Sequence, residues 1–324
     1  MAYRTRYVPA YLPALFSLVV ATALPSLASA QDVVKVAIPQ RGNWETSVAD
    51  VGQQAGIFAK HGIKVEVLYT SGGGETLQAL ISGSVDVAIG TGTASIMAAF
   101  AKGAPIRPIA SSTSGARDIF WYVNASSPIK SLKDGAGKTI GFSAGGSSSN
   151  IATLKLIKQS GTAMKPTATG TSQATYAQVM SGQIDIGWSA VPFGIDLLED
   201  KKIRLLARYD DIPEYRNMTA RMHVANLTFI EKRPDVLKRF LAAYDETLNW
   251  MYKGDEGLLT FCKIYNLPEK EIRIARDQFT PKEALDLKRR VGIDVAMEDA
   301  LSLKFISKPL TQAEQDELFK YYYK

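Results

Sequence analysis

Short apolar runs alternate with amphipathic stretches along most of this chain. VVKVAIP (33–39), IKVEVLY (63–69), VDVAIG (85–90) and IRPIASS (106–112) have the length and β-branched content of strands. Between them, 47–60, 75–82 and 94–102 place apolar residues at helical spacing, and Gly62 and Gly83 follow two of these stretches as caps. A β-α-β-α-β-α-β order predicts a largely parallel sheet with right-handed crossovers. The pattern then starts again. IFWYVN (119–124), KTIGFS (138–143), IDIGWS (184–189) and IRLLAR (203–208) read as strands. Helices are predicted over 151–159 and 173–181, with another starting near Pro192. MHVANLTFI (222–230) restores strand character, and 232–253 reads as a long amphipathic helix with Val236, Phe240, Tyr244 and Leu248 on one face. The remainder alternates helical patterns with Pro and Gly breaks and is expected to pack on the first lobe.

One phrase occurs twice. ALISGSVDVAIG (79–90) and QVMSGQIDIGWS (178–189) align Ser82-Gly83 with Ser181-Gly182 and Asp86 with Asp185. A repeat of this kind marks two copies of one supersecondary unit, each a helix end, a capping glycine and a buried strand. The two aspartates fall at strand starts, away from the carboxyl ends where α/β ligands bind, so they read as structural. The expected fold class is α/β, with two Rossmann-like lobes joined by a two-segment hinge and C-terminal helices on lobe one. Lobe one is expected to comprise 31–115 and 220–324, and lobe two 116–219. The chain then crosses near 113–117 and 209–221.

The first 30 residues read as a secretory signal peptide. Arg4 and Arg6 precede an apolar stretch, and Ala28-Ser29-Ala30 offers a small-x-small site, so cleavage after Ala30 is expected. No cysteine lies there to carry a lipid. The only cysteine, Cys262, sits in the apolar helical stretch LLTFCKIY and reads as a small core residue. Losing Arg4 and Arg6 takes the net charge from +6 to +4. The basic residues are scattered and lack the aromatic interleaving of a nucleic-acid surface. No HExxH, zinc spacing, GxSxG, Walker loop or GxGxxG appears, so the sequence points to no metal, no cofactor and no catalytic set.

Candidate binding residues cluster after the predicted strands. Arg41, Asn43 and Trp44 follow the first, Gly73 and Gly74 the second, and Thr91, Gly92 and Thr93 the third. Ser143, Ser147, Ser148 and Ser149 follow a strand of lobe two, and Ser189 follows its repeat partner. Glycines let backbone N–H groups approach a ligand, hydroxyls add donors, and helix starts favour anions. Each loop is equally compatible with plain N-capping. Trp44 either lines the cleft as a stacking surface or packs within its lobe. Arg41 and Arg117 are the cations nearest the predicted cleft, and either serves an acid group or is solvated. On the ligand reading, the loops at 91–93 and 147–149 face each other and share one small organic anion.

The run SGGGETLQALISGSVDVAIGTGTAS, then SLKDGAGKTIGFS, the Gly/Ser loop and SGQIDIGWS resemble the NitT/TauT, or NMT1/THI5-like, substrate-binding proteins of ABC transporters. The resemblance covers roughly 33–260. It implies a type II periplasmic binding fold, a ligand held between two lobes, a periplasmic monomer, and delivery to a membrane permease with its ATPase. It does not fix the ligand; a carboxylate or sulfonate is the reading favoured by the loops. Two rivals stay open. A THI5-like enzyme of thiamine-pyrimidine synthesis uses a cysteine-rich segment that is missing here. A ligand-sensing module for a membrane receptor has the same sequence signature as a transporter component.

Overall fold

The computed structural model describes residues 1–6 and 31–323, so the body of the expected signal peptide, at 7–30, lies outside the described residues. The N-terminal half of the rest runs β1 (Asp32–Pro39), α1 (Val48–Gln54), α2 (Ile57–Lys60), β2 (Ile63–Thr70), α3 (Gly73–Ile81), β3 (Val87–Gly92), α4 (Thr93–Ala101) and β4 (Ile106–Ser114). Next come β5 (Ile119–Asn124), β6 (Thr139–Phe142), α5 (Ser148–Ser160), β7 (Lys165–Ala168), α6 (Ser172–Met180), β8 (Gly187–Ala190), α7 (Ile195–Glu199) and β9 (Ile203–Arg208). Two short 3₁₀ turns lead into β10 (Thr219–Asn226), followed by α8 (Leu227–Lys232), α9 (Pro234–Met251), α10 (Glu256–Tyr265), α11 (Glu269–Ile274), α12 (Ile293–Ser302) and α13 (Gln312–Leu318).

The first sheet has the order β2-β1-β3-β10-β4. β1 pairs in parallel with β2 and β3, whereas β10 is antiparallel to both β3 and β4. The second region contains β8-β5-β9 and β6-β7, linked by a parallel bridge from Ile140 to Ile186 just ahead of β8. Taken together these strands follow β7-β6-β8-β5-β9, the same path with β5 in the place of β10. Each sheet therefore takes one antiparallel strand from the chain as it arrives across the junction. The expectation of a largely parallel sheet holds for β1, β2 and β3. β4 runs in the same direction but joins the sheet through β10, its one antiparallel strand, and the 222–230 run stops as a strand at Asn226, whose side chain caps α8. β7, a short and mostly exposed strand around Pro166, carries no apolar alternation and escaped the sequence pattern.

The predicted helix over 47–60 breaks at Gly56, whose backbone adopts φ +75°, a left-handed value that glycine tolerates. The helix expected from Ile151 starts earlier, because Ser147 accepts the Asn150 N–H as its N-cap. The repeated aspartates do the same work in both sheets. Asp86 accepts the Lys35 N–H of β1 through Oδ2 at 2.8 Å, and Asp185 accepts the Thr139 N–H of β6 through Oδ2 at 2.9 Å. Each ties one strand to the residue just ahead of its neighbour.

Val236, Phe240, Tyr244 and Leu248 of α9 are buried in one apolar cluster with Val48, Val51, Phe58 and the strand residues Val36, Ile38 and Val87. The C-terminal helices thus complete the core of the first sheet, as the pattern predicts. α12 also reaches the second region, where Asp299 pairs with Lys155 of α5 at 3.2 Å.

His223, on β10, is 2 % exposed and lies against the Tyr244 ring at 4.7 Å. Burial pushes its imidazole down to about 3. An unfolded chain takes up that proton near pH 6.5, so between the two values the unfolded state binds more protons and stability falls as pH falls. Stability should drop by up to about 1.4 kcal/mol per pH unit below 6.5 on account of this residue. Urea melts at pH 7 and pH 5 on the wild type and His223→Asn test this: the variant should lose about 2 kcal/mol less than the wild type. An equal loss in both would contradict it.

Candidate functional site

The carboxyl ends of β1, β2, β3 and β6 point toward one narrow cavity between the two sheets, where open α/β folds place ligands. Its wall includes Gln40, Asn43 and Glu45 after β1, Gly72 and Gly73 after β2, and Gly90 within β3. From the other side come Ser143 and Ser147–Ser149 around the start of α5, and Trp188 and Ala190 of β8. Asp118, Ile119 and Arg221 close it. The cavity measures about 30 Å³, room for roughly two water molecules by volume.

Arg221 is the organising residue. It stands near the start of β10, opposite Gly92 at the end of β3 and Thr113 near the end of β4. Because β10 runs antiparallel, its start lies beside the carboxyl ends of its neighbours. Asp118 precedes β5, whose Ile119 pairs with Ala190 at the end of β8, so the same logic delivers it to the cavity. The Arg221 guanidinium donates from Nη1 to Glu45 Oε1 and from Nη2 to Asp118 Oδ2, each at 2.8 Å, and from Nε to Ser148 Oγ at 2.9 Å. Arg221, Glu45 and Asp118 are 4 %, 2 % and 0 % exposed, so this ion cluster is shielded from solvent and its partners are mutually dependent.

Burial raises the Glu45 carboxyl, the Asp118 charge raises it further, and Arg221 opposes both; the balance is about 8. Burial alone would lower Arg221, but the Asp118 and Glu45 charges outweigh it and hold the guanidinium above its usual range. At neutral pH the Glu45 carboxyl is thus largely protonated beside the Arg221 guanidinium.

The serine loop is internally bonded. Ser149 Oγ accepts the Ser143 N–H at 3.1 Å and lies 2.9 Å from both Ser143 Oγ and Ser147 Oγ. The starts of α3 and α5 meet here, with Gly72 and Gly73 of one and Ser147, Ser148 and Ser149 of the other in the same wall. Gly74 marks how close the halves come: a Cβ there would lie 1.9 Å from the Gly145 carbonyl oxygen.

Of the residues singled out from sequence, Asn43, Gly73, Ser143, Ser147, Ser148 and Ser149 line the cavity. Trp44 does not. It is fully buried, donates from Nε1 to the Tyr252 hydroxyl at 2.8 Å, and packs on Tyr252 and Phe261, so no face is left for a ligand. The aromatic wall is Trp188 instead, held by a bond from Nε1 to Thr169 Oγ1. Thr91 and Thr93 are also corrected. Their hydroxyls donate to the Met222 and Thr219 carbonyls of β10 and hold that strand in place. Gly92 faces the α5 loop directly, so the loops at 91–93 and 147–149 meet by contact rather than around a shared ligand. Gly74 likewise serves the contact between halves. Ser189 donates to the Phe193 carbonyl away from the cavity. Arg41 lies over the Tyr265 ring at 5.2 Å, in a separate pocket with Phe193, Leu267 and Ile272. Arg117 is exposed and 3.6 Å from Asp210.

Sequence reasoning missed Glu45, Asp118 and Arg221. One signal was present. Arg221 interrupts a buried apolar strand, and a charge in such a run needs a partner.

A family model described as NMT1/THI5 like matches residues 47–256. No curated protein sequence matches the chain. Among solved structures, the alkanesulfonate-binding protein SsuA from Xanthomonas axonopodis pv. citri bound to MOPS superposes with a TM-score of 0.69 at 18 % identity, covering 85 % of this chain and 91 % of that one. The periplasmic nitrate-binding protein NrtA from Synechocystis PCC 6803 gives 0.71 at 12 % identity, covering 90 % and 86 %. A protein from Bordetella bronchiseptica RB50 gives 0.71 at 22 % identity, covering 88 % and 94 %. These likenesses fix the fold as that of periplasmic binding proteins. With its family model spanning 47–256 and its paired sheets in this arrangement, the chain belongs to the NMT1/THI5-like family.

Proposed function

We propose that the protein captures a small organic solute in the cavity between its sheets and delivers it to an ABC permease and its ATPase, without catalysis. The observation that carries this reading is the cavity wall itself. Strand ends from both halves supply it, so the halves must move apart for a ligand to enter and together to hold it. A ligand of several heavy atoms needs more than the present 30 Å³ and a slightly wider seating. Export through the leader, cleavage after Ala30 and a periplasmic, monomeric state belong to the same proposal.

The lobes we infer are 31–115 with 220–324, and 116–219, hinged near 113–117 and 209–221. Support comes from the strand order, in which β5 begins just past the first of these segments and β10 begins at the end of the second. The ligand carries an acid group, a carboxylate or sulfonate. The converging starts of α3 and α5 favour this, since unpaired helical N–H groups attract anions.

A thermal-shift screen of the purified protein against organic acids, sulfonates and neutral heterocycles tests capture. A true ligand at a hundred times its Kd should add about 2.7 kcal/mol of stability. Failure of every compound class to stabilise the protein would count against the proposal.

Gly74→Ala tests closure. Alanine suits a helix better than glycine, so melting temperature should hold or rise. The added Cβ meets the Gly145 carbonyl only when the halves are together. Affinity for the ligand found in the screen should fall at least tenfold. Wild-type affinity in this variant would show that binding does not draw these loops together.

A further inference from the structure

Arg221 satisfies one oxygen of each carboxylate it touches, and the other oxygens are left over. Glu45 Oε2 and Asp118 Oδ1 are buried without a hydrogen-bond partner, while Glu45 Oε1 and Asp118 Oδ2 accept from the guanidinium. Both residues line the cavity and both are more than nine-tenths buried. Buried acceptors without donors are costly, and so is buried charge without balance. With both acids ionised the cluster holds two negative charges against one positive. Among the described residues, Arg221 is the only cation in the cavity wall. Once Glu45 ionises, the wall is thus one positive charge and at least two N–H donors short.

We propose that Glu45 Oε2 and Asp118 Oδ1 form a subsite for a protonated nitrogen of the ligand, making that ligand an organic acid that also bears an amino or amidino group. The inference rests on the reading of the cavity as a solute site. A plain anion leaves both oxygens unsatisfied and adds negative charge beside them. A protonated nitrogen donates to both and balances the cluster, while the acid group at its other end meets the starts of α3 and α5.

The charge balance gives the subsite a signature. The titratable groups around Glu45 are Arg221 from β10, Asp118 ahead of β5, and the phenols of Tyr244 on α9 and Tyr252 just after it. Tyr209 lies near Arg221 and Asp118. Burial pushes all three phenols up, so none of them ionises near neutral pH. The proton that burial places on Glu45 is the one a ligand cation displaces. It passes to solvent, and the ligand nitrogen stays protonated.

The test pairs acids with and without nitrogen: β-alanine against propionate, 4-aminobutyrate against butyrate, and 4-guanidinobutyrate with butylamine as the cation alone. Binding to the purified protein is measured by calorimetry, and proton release by pH electrode in unbuffered salt at pH 7. The nitrogen-bearing acid of at least one pair should bind tenfold or more tightly than its partner and release most of one proton per site. Glu45→Gln, a neutral isostere of the protonated side chain, should fold normally, release no proton and lose most of the preference for nitrogen. Equal affinity within every pair, or binding of the amino acids without proton release, overturns the subsite. If the plain acids bind and the amino acids do not, the subsite falls and solute capture stands. If neither set binds or stabilises the protein, both readings fall.

Discussion

The structure depends on a buried charge. Arg221 is almost wholly buried, and it is tolerable there because Glu45, Asp118 and Ser148 receive its N–H groups at 2.8–2.9 Å. Glu45 comes from the first sheet, Ser148 from the second region, and Asp118 from the connection between them. A single guanidinium therefore ties together three parts of the chain that are far apart in sequence. Opening the halves far enough to part Arg221 from Ser148 removes one of these bonds, while the bonds to the acids need not break. The cluster is at once part of the cavity wall and one of the contacts that set its width.

The topology explains why the cluster is where it is. Parallel strands send their carboxyl ends, with their loops and helix starts, to one edge of each sheet. The antiparallel strands β10 and β5 enter from that edge, so the residues at their beginnings arrive there too. Arg221 and Asp118 hold these two positions. Hydroxyls and glycines come from the parallel strands; charge comes largely from the antiparallel ones, with Glu45 the exception. Other contacts between the halves lie away from the cavity. Ser95 Oγ donates to the Gly146 carbonyl at 2.6 Å, Lys155 meets Asp299, and Lys270 meets Glu199. The last is between exposed side chains and is worth little in water.

Much of this was legible in the residues. The short apolar runs located nine of the ten strands among the described residues, because those strands are buried on at least one face. The repeated Ser-Gly-x-x-Asp phrase marked matching corners, and Asp86 and Asp185 do bind equivalent backbone groups. The serine loop and Gly73 reached the cavity because they follow parallel strands. The misreadings have a common cause. Trp44, Thr91, Thr93 and Ser189 also follow strands, but side-chain direction there is set by packing across the sheet, which periodicity does not report. Trp44 turns toward Phe261 and Tyr252 of the C-terminal helices, 208 residues away in the case of Tyr252. The same limit hid the ion cluster. Glu45 and Arg221 are 176 positions apart, and Asp118 and Arg221 are 103 apart, so no local pattern joins them.

Replacing one member of a buried ion cluster leaves the others unpaired, whereas replacing all of them removes the need for pairing. The central claim is that Arg221, Glu45 and Asp118 act as one unit. Chemical denaturation of Arg221→Met, compared with the triple replacement Arg221→Met, Glu45→Gln, Asp118→Asn, measures this directly. The account predicts that the single variant loses about 3–5 kcal/mol and that the triple variant regains most of it. A triple variant whose loss is the sum of its parts would contradict it.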